Sequence, residues 1–305
     1  MQRRNFIKNT LLATGALSVV SPDSWASIVS GMNRSKITAD SGLKKSIMWG
    51  SVGMEGTVLE KCKAIKAAGF EGIEPNSHMD RKEVLDAMQA TGLVASSVCN
   101  SKHWNLLLSH PDKEVRQQGM EAMIVAMEDA KAYGTDAVLL VPGRVDENVT
   151  YDECWERSTE CIRELALAAQ KLQVKICIEN VWNNFLLSPI EARTYVDQFN
   201  SPYVRFYFDC GNILVFGWPE QWIKILGDRI GRIHIKEYSK QIGDKQGRSA
   251  GFGVSLTEGD VRWKEVIQQI RSDYKGVWLT TEQGTSKTPE ELLDLNNRLD
   301  KIMAM

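Results

Sequence analysis

The sequence predicts a single-domain α/β fold, a (β/α)8 TIM barrel over residues 45–305. Three observations predict it. From Lys45 onward, short apolar runs alternate with amphipathic helical stretches eight times, the number of units that closes a parallel barrel. A length of 305 residues suits one barrel with a short extension. No glycine-rich dinucleotide loop follows the first run, as an open doubly wound sheet would often show.

The strand runs are Ile47–Gly50, Gly72–Glu74, Val94–Val98, Ala137–Val141, Lys175–Ile178, Val204–Phe208, Arg232–Ile235 and Val277–Thr281. They are almost continuously apolar, as strands covered on both faces must be. Helices are expected near Val58–Ala68, Arg81–Ala90, Glu114–Ala132, Tyr151–Lys171, Pro219–Leu226, Trp263–Arg271 and Pro289–Met303. A further helix opens at Ser188-Pro189-Ile190-Glu191, with Ser at the N-cap, Pro at the first helical position and Glu in the first turn. The stretch Ser239–Asp260 is too long for a plain connection, and a loop of that length is expected to cover a site.

The chain opens differently. Arg3-Arg4-Asn5-Phe6-Ile7-Lys8, an apolar run from Leu11 to Val20, and small residues around Trp25-Ala26-Ser27 read as an export signal of the twin-arginine type over residues 1–27. Residues 28–44 read as a linker. The apolar run is shorter than the roughly 20 residues that span a bilayer, so no stable membrane span is expected. The twin-arginine machinery is then a partner, and the folded protein is expected in the periplasm.

Composition narrows the function. Hydrophobic residues are 43%, charged residues 25%, and the net charge is −2, with no basic run of the kind that nucleic acid or a membrane surface would select. Six cysteines occur with no Cys-x-x-Cys pair, which argues against a thiolate zinc site. Cys154 and Cys161 lie seven residues apart on one expected helix, about 10 Å along its axis and too far to bridge. Cys177 and Cys210 fall on opposite faces of neighbouring strands and should not pair.

Glu179, Asp209, His234 and Glu282 stand where the last four strands end. In a barrel those ends meet at one mouth, where active sites sit. Three carboxylates brought together there repel one another unless a cation neutralises them, which points to one shared divalent ion. Three oxygens and one imidazole suit Mn²⁺ best, with Mg²⁺, Co²⁺ and Zn²⁺ as alternatives. Lys236 shares the inward face with His234 and could contact a substrate oxygen or form an ion pair. Further substrate-contact candidates at strand ends are Glu74, His103, Arg144 and Trp182, and Trp104 reads as ordinary core packing. Arg144 and Arg248 are the residues that could bind a phosphate.

The pieces Ile178-Glu179-Asn180-Val181-Trp182, Phe208-Asp209-Cys210-Gly211-Asn212, Ile233-His234-Ile235-Lys236-Glu237 and Thr281-Glu282 resemble the xylose-isomerase-like barrel superfamily of sugar (phosphate) isomerases and epimerases. Gly251-Phe252-Gly253 followed by Glu258-Gly259-Asp260-Val261-Arg262-Trp263 is similar to that superfamily's GxGxxD stretch. The Asp-x-Gly-Asn and His-x-Lys-acid forms look most similar to the L-ribulose/L-xylulose 5-phosphate 3-epimerase and hydroxypyruvate isomerase branch. Epimerases of free ketoses commonly carry a His where this chain has Asn212, a further substrate-contact candidate. The resemblance implies a keto-sugar substrate and two proton-transferring glutamates, Glu179 and Glu282. It also implies a metal that stabilises the enediolate between them. A dehydratase acting on inososes and a non-catalytic sugar-binding protein are the other readings. An endonuclease-IV-like metal cluster needs more histidines than the four present. The oligomeric state is left open, a homo-oligomer included.

If the N-terminal reading holds, replacing Arg3 and Arg4 by Lys should leave the protein in the cytoplasm. Cell fractionation checks this, and undiminished export of the variant would sink the twin-arginine assignment.

Overall fold

A computed structural model gives the structure of residues 42–305; the export segment 1–27 and the linker up to residue 41 lie outside the described residues. Among the described residues no helix is long and apolar enough to cross a membrane.

Nine parallel strands are present where eight were expected: β1 (Lys44–Met48), β2 (Gly72–Glu74), β3 (Val94–Ala95), β4 (Val98–Cys99), β5 (Ala137–Leu140), β6 (Lys175–Glu179), β7 (Val204–Asp209), β8 (Ile230–Ile235) and β9 (Trp278–Thr281). They form one sheet in the order β3-β2-β1-β9-β8-β7-β6-β5-β4. The two ends of that order are halves of a single run, parted by Ser96–Ser97, so the sheet closes on itself and the eight-unit barrel stands. The seam is stitched beyond β2: Ser77 N–H donates to Cys99 O at 2.8 Å and Cys99 N–H to Pro75 O at 2.9 Å.

Strand parity divides the side chains as a barrel requires. Ile47, Ile73, Val138, Ile176, Ile178, Phe206, Phe208, Ile233, Ile235 and Leu279 belong to the core between strands and helices. Cys99, Leu139, Val141, Cys177 and Tyr207 form a second cluster inside the barrel. Cys177 and Cys210 thus fall in different clusters, and all six cysteines are free and buried. Lower in the barrel the interior is polar. Ser96 Oγ lies 2.8 Å from Ser46 Oγ and 3.2 Å from Thr280 Oγ1, and the buried Arg232 donates to Ser96 O and pairs with Asp136.

The long helices are α1 (Val58–Ala68), α2 (Arg81–Thr91), α3 (Lys113–Ala132), α4 (Tyr151–Leu172), α5 (Pro189–Asp197), α7 (Pro219–Leu226), α9 (Trp263–Asp273) and α10 (Pro289–Met303). The expected N-cap of α5 is present: Ser188 Oγ accepts from Glu191 N–H at 3.2 Å, with Pro189 in the first position. Two short helices were not anticipated. α6 (Cys210–Leu214) starts as β7 ends, capped by the Asp209 carboxylate, and α8 (Lys240–Gln246) lies inside the long Ser239–Asp260 stretch.

That stretch is tied to the barrel by Glu237, a buried carboxylate. Its Oε2 accepts from Thr257 N–H at 2.9 Å and from the Trp263 indole at 2.6 Å; its Oε1 accepts from Val261 N–H at 3.0 Å and Tyr238 N–H at 3.2 Å. A Cβ at Gly259 would fall 2.5 Å from Glu237 Oε1, so only glycine lets the chain pass so close. Gln283 completes the root, accepting from Glu237 N–H at 2.6 Å and donating to the carbonyls of Phe252 and Val254. Glu237→Gln keeps the size but turns an amide NH2 toward groups that are all donors. It should lower stability by about 2 kcal/mol, and a lowered Tm together with protease cleavage within residues 239–260 would register it.

Candidate metal centre at the barrel mouth

β6, β7, β8 and β9 end side by side, and their registers bring Asp209 beside His234, and Glu179 beside Tyr207. Glu179, Asp209, His234 and Glu282 each present one ligand atom, all within 4.8 Å of one another. His234 Nδ1 lies 3.1 Å from Glu282 Oε2, 3.3 Å from Glu179 Oε1 and 3.9 Å from Asp209 Oδ2. His234 Nδ1, Glu179 Oε1 and Asp209 Oδ2 are buried, with no hydrogen-bond partner. Three lone-pair atoms facing one another in a buried space are costly by themselves and suited to a divalent cation. These four residues, the ligand set expected from the sequence, fit such an ion.

Two of the four are aimed by a contact on the far side. Asp209 Oδ1 accepts from Asn212 N–H at 2.6 Å, which leaves Oδ2 for the centre. His234 Nε2 lies 2.8 Å from Glu74 Oε2, while Glu74 Oε1 accepts from Ser97 Oγ at 2.6 Å and the Tyr207 hydroxyl at 2.7 Å. Burial would push the Glu74 carboxyl up, but the histidine and the two hydroxyls outweigh it and hold it low. An ionised Glu74 can only accept, so the Nε2–H donates to it, which leaves Nδ1 as the ring nitrogen turned to the centre. Burial would pull the imidazole down, but the surrounding carboxylates hold it well above its usual range, so a cation would have to displace its Nδ1 proton. Lys236 Nζ stands 3.0 Å from Glu282 Oε2 and 5.2 Å over the Phe252 ring.

The carboxylates are not equivalent. Burial, reinforced by the charges of Glu282 and Asp209, pushes Glu179 up to about 8. Burial and Glu282 likewise push Asp209 up to about 6 against the pull of Lys236 and His234. For Glu282, Lys236 and His234 overcome burial and hold the group below the usual carboxylate range. At neutral pH a cation must displace the proton on Glu179, and below about pH 6 that on Asp209 as well, before both can ligate.

The remaining candidates separate. Glu74 is fully buried under His234, not open to substrate as expected; strand parity gives the face of a residue but not its partner across the barrel. Lys236 takes the ion-pair alternative. Asn212 is buried, its amide donating to Asn180 O at 3.5 Å. His103 is buried, its Nδ1 accepting from Val141 N–H at 3.3 Å; burial pushes it down to about 4 against the opposing charge of Glu282, so it is neutral. Arg144 pairs with Asp146 at 3.0 Å and Arg248 lies over the Phe216 ring, so both suggested phosphate ligands have other partners. Trp182 is exposed and stacks on Trp104, which is exposed as well and not core packing. Ser97, Tyr207 and Glu237 were not singled out from sequence, since a hydroxyl or acid within a strand carries no local mark of such a role.

The sequence profile of the xylose isomerase-like TIM barrel matches residues 62–300. The chain belongs to the xylose isomerase-like TIM barrel family. The L-ribulose-5-phosphate 3-epimerase UlaE of Escherichia coli O1:K1 is 27% identical over 237 residues, covering 72% of this chain and 80% of that protein. The putative L-ribulose-5-phosphate 3-epimerase SgbU of Escherichia coli K12 is 26% identical over 258 residues, 77% and 87% of the two chains. Among solved structures, the E. coli 3-keto-D-glucoside 4-epimerase YcjR has a TM-score of 0.73 at 16% identity, covering 86% of this chain and all of its own. A D-psicose 3-epimerase determined in the presence of D-fructose has a TM-score of 0.66 at 16% identity, covering 86% and 96%. At that identity the two structures establish the barrel of the family and nothing finer.

The Glu74 contact carries an expected outcome of its own. Glu74→Gln offers an NH2 or a carbonyl to His234 in place of a carboxylate, and its affinity for Mn²⁺, read by calorimetry, should fall roughly 10- to 100-fold. Unchanged affinity in the folded variant would show that His234 needs no such orienting partner.

Proposed function

We propose that the protein is a metal-dependent epimerase of a keto-sugar. The observation that carries this reading is the ring of buried Glu179, Asp209 and His234 with half-buried Glu282, the unpaired atoms of the first three turned inward. It stands in a family whose similar members bear the names of sugar epimerases.

A divalent ion, Mn²⁺ by the chemistry of the donors, would be held by these four residues and would supply a Lewis acid that polarises the sugar carbonyl. Glu179 and Glu282 come from strands separated by β7 and β8 and approach His234 Nδ1 at 3.3 Å and 3.1 Å. A carbon seated between them meets a carboxylate on each face. One glutamate removes the proton beside the carbonyl, and the other returns a proton from the opposite side, which inverts that carbon without any redox partner. Lys236 fixes the Glu282 carboxylate, and Glu179 is buried away from water.

The substrate is read as unphosphorylated. Arg144 and Arg248 are engaged elsewhere, and the twin-arginine pattern of residues 1–27 supports export to the periplasm, where sugar phosphates are scarce.

Glu179→Gln and Glu282→Gln remove the bases while keeping their size. Each should retain fold and part of the metal, yet lose roughly 10²–10⁴-fold in turnover of a responsive ketose. Wild type in D₂O should incorporate deuterium at the carbon beside the carbonyl, as seen by NMR and mass. Metal-replete variants that turn over like wild type would refute the two-glutamate mechanism.

A further inference from the structure

Trp104 and Trp182 stand at the rim of the mouth with ring centroids 5.7 Å apart and planes tilted by 31°. They are 38% and 54% exposed, an unusual placement for two large apolar rings that touch each other. Trp218 is exposed to a similar degree, but Lys240 and Arg262 stand over its ring. Among the described residues no cation covers Trp104 or Trp182.

Their position relative to the metal centre follows from neighbours already described. Trp182 is the third residue after Glu179. Trp104 lies edge-on to His103, centroids 5.8 Å apart, and His103 Nδ1 accepts from the N–H of Val141, which follows β5 and belongs to the cluster inside the barrel. The pair therefore borders the reaction centre on the side of β4 and β6.

The loop that carries Trp182 is held in a costly conformation. Asn184 and Leu186, neither a glycine, have φ of 58° and 56°. The strain is pinned at several points. The Asn183 amide donates to Gly143 O at 2.6 Å and the Asn184 amide to Val145 O at 3.2 Å; Val145 N–H donates to Asn183 O at 3.0 Å, and Leu186 N–H to the Tyr151 hydroxyl at 3.0 Å. Leu186 is buried by this path, while Trp182 at the head of the loop faces solvent. A loop relaxing to bury apolar surface would cover the larger ring first. Its strain instead keeps an indole on the outside, facing another indole.

We propose that the Trp104–Trp182 pair is a binding platform for a second sugar ring, so that the substrate is a keto-sugar bearing a glycosyl substituent. The inference rests on the epimerase reading for the first ring, which sits over the polar metal centre. The apolar face of a pyranose offers C–H groups that match an indole face, and the hydroxyls at its edge stay in water at the open rim. A substrate of one ring would leave the platform in water.

The test compares matched pairs, each a keto-sugar and the same unit bearing a second ring: fructose against isomaltulose, and 3-keto-glucose against 3-keto-trehalose. Metal-loaded wild type should favour the two-ring member of the responsive pair by roughly tenfold in kcat/KM, expressed in KM, as apolar area leaves water on both partners. In Trp104→Ala and Trp182→Ala the ratio between the members should fall to about one. A wild-type ratio near one overturns the proposal. So do variants that weaken both members equally, because that is the mark of a merely structural role. If no pair turns over, the epimerase reading fails by itself, and titration by indole fluorescence still measures the ratio as relative affinity. A fluorescence ratio near one, or indoles that respond to neither member because a second copy of the chain covers them, also overturns the platform.

Discussion

Three carboxylates and an imidazole share a buried space less than 5 Å across, and the rest of the barrel is arranged around that constraint. Two like charges 4 Å apart repel by about 4 kcal/mol at an effective dielectric of 20, so three in one pocket could not all stay ionised unaided. Without a cation the cluster is balanced by protons: burial and neighbouring charge push Glu179 and Asp209 up, His234 is held protonated among the carboxylates, and Lys236 and His234 keep Glu282 ionised. A cation answers it differently, by making every negative charge favourable at once. Such a cluster costs stability unless a cation joins it, which marks it as a functional arrangement rather than a stabilising one.

Holding such a site needs stiffness behind it. Hydrogen bonds behind two of the four groups supply this: Asp209 through the backbone of α6, and His234 through Glu74, which is itself fixed by Ser97 and Tyr207. These contacts span the barrel, joining β2 and the β3–β4 seam to β7 and β8. The irregularity at Ser96–Ser97 has a reason in the same terms. Ser97 leaves the ladder and spends its hydroxyl on Glu74, while the carbonyl of Ser96 accepts from Thr135 Oγ1 and Arg232 Nε. The chain gives up ladder bonds at one strand and recovers them as a brace under the metal centre.

The four ligands were legible in the sequence because strand ends and parity are local properties: a polar residue just after an apolar run in a barrel has few places to go. The alternation of strands and helices was legible for the same reason. Glu74 looked like a mouth residue by that rule and proved to be a buried partner of His234. Which residue it meets across the barrel depends on the strand stagger, and no local pattern encodes that. Glu237 was visible only as part of a matching pattern; its donors, Thr257, Val261 and Trp263, lie 20 to 26 positions away. Trp104 was expected in the core because apolar residues usually go there. Only the strained path of the 182–187 loop reveals that its partner is kept outside. Helix α6 carries no comparable signal in the sequence: it is five residues long and capped by Asp209 Oδ1, the side chain whose Oδ2 faces the centre.

These contacts divide the molecule into a rigid floor and a variable rim. The floor comprises strand residues whose positions are set by ladder bonds and by the brace, and a shift of an ångström there would spoil ligation. The rim comprises the segments that carry Trp104, Trp182 and Phe252, held at points such as Glu237 and Asn183. The similar proteins named above carry the names of epimerases of different sugars, two of them on this same barrel at low identity. If proton transfer is a property of the floor, the difference between substrates belongs to the rim. For this chain the rim is aromatic and strained on one side, and on the other tied down by a single buried carboxylate. On the proposed reading, the four-residue centre would set what happens to a carbon beside a carbonyl, and those two loops would decide which molecule presents it.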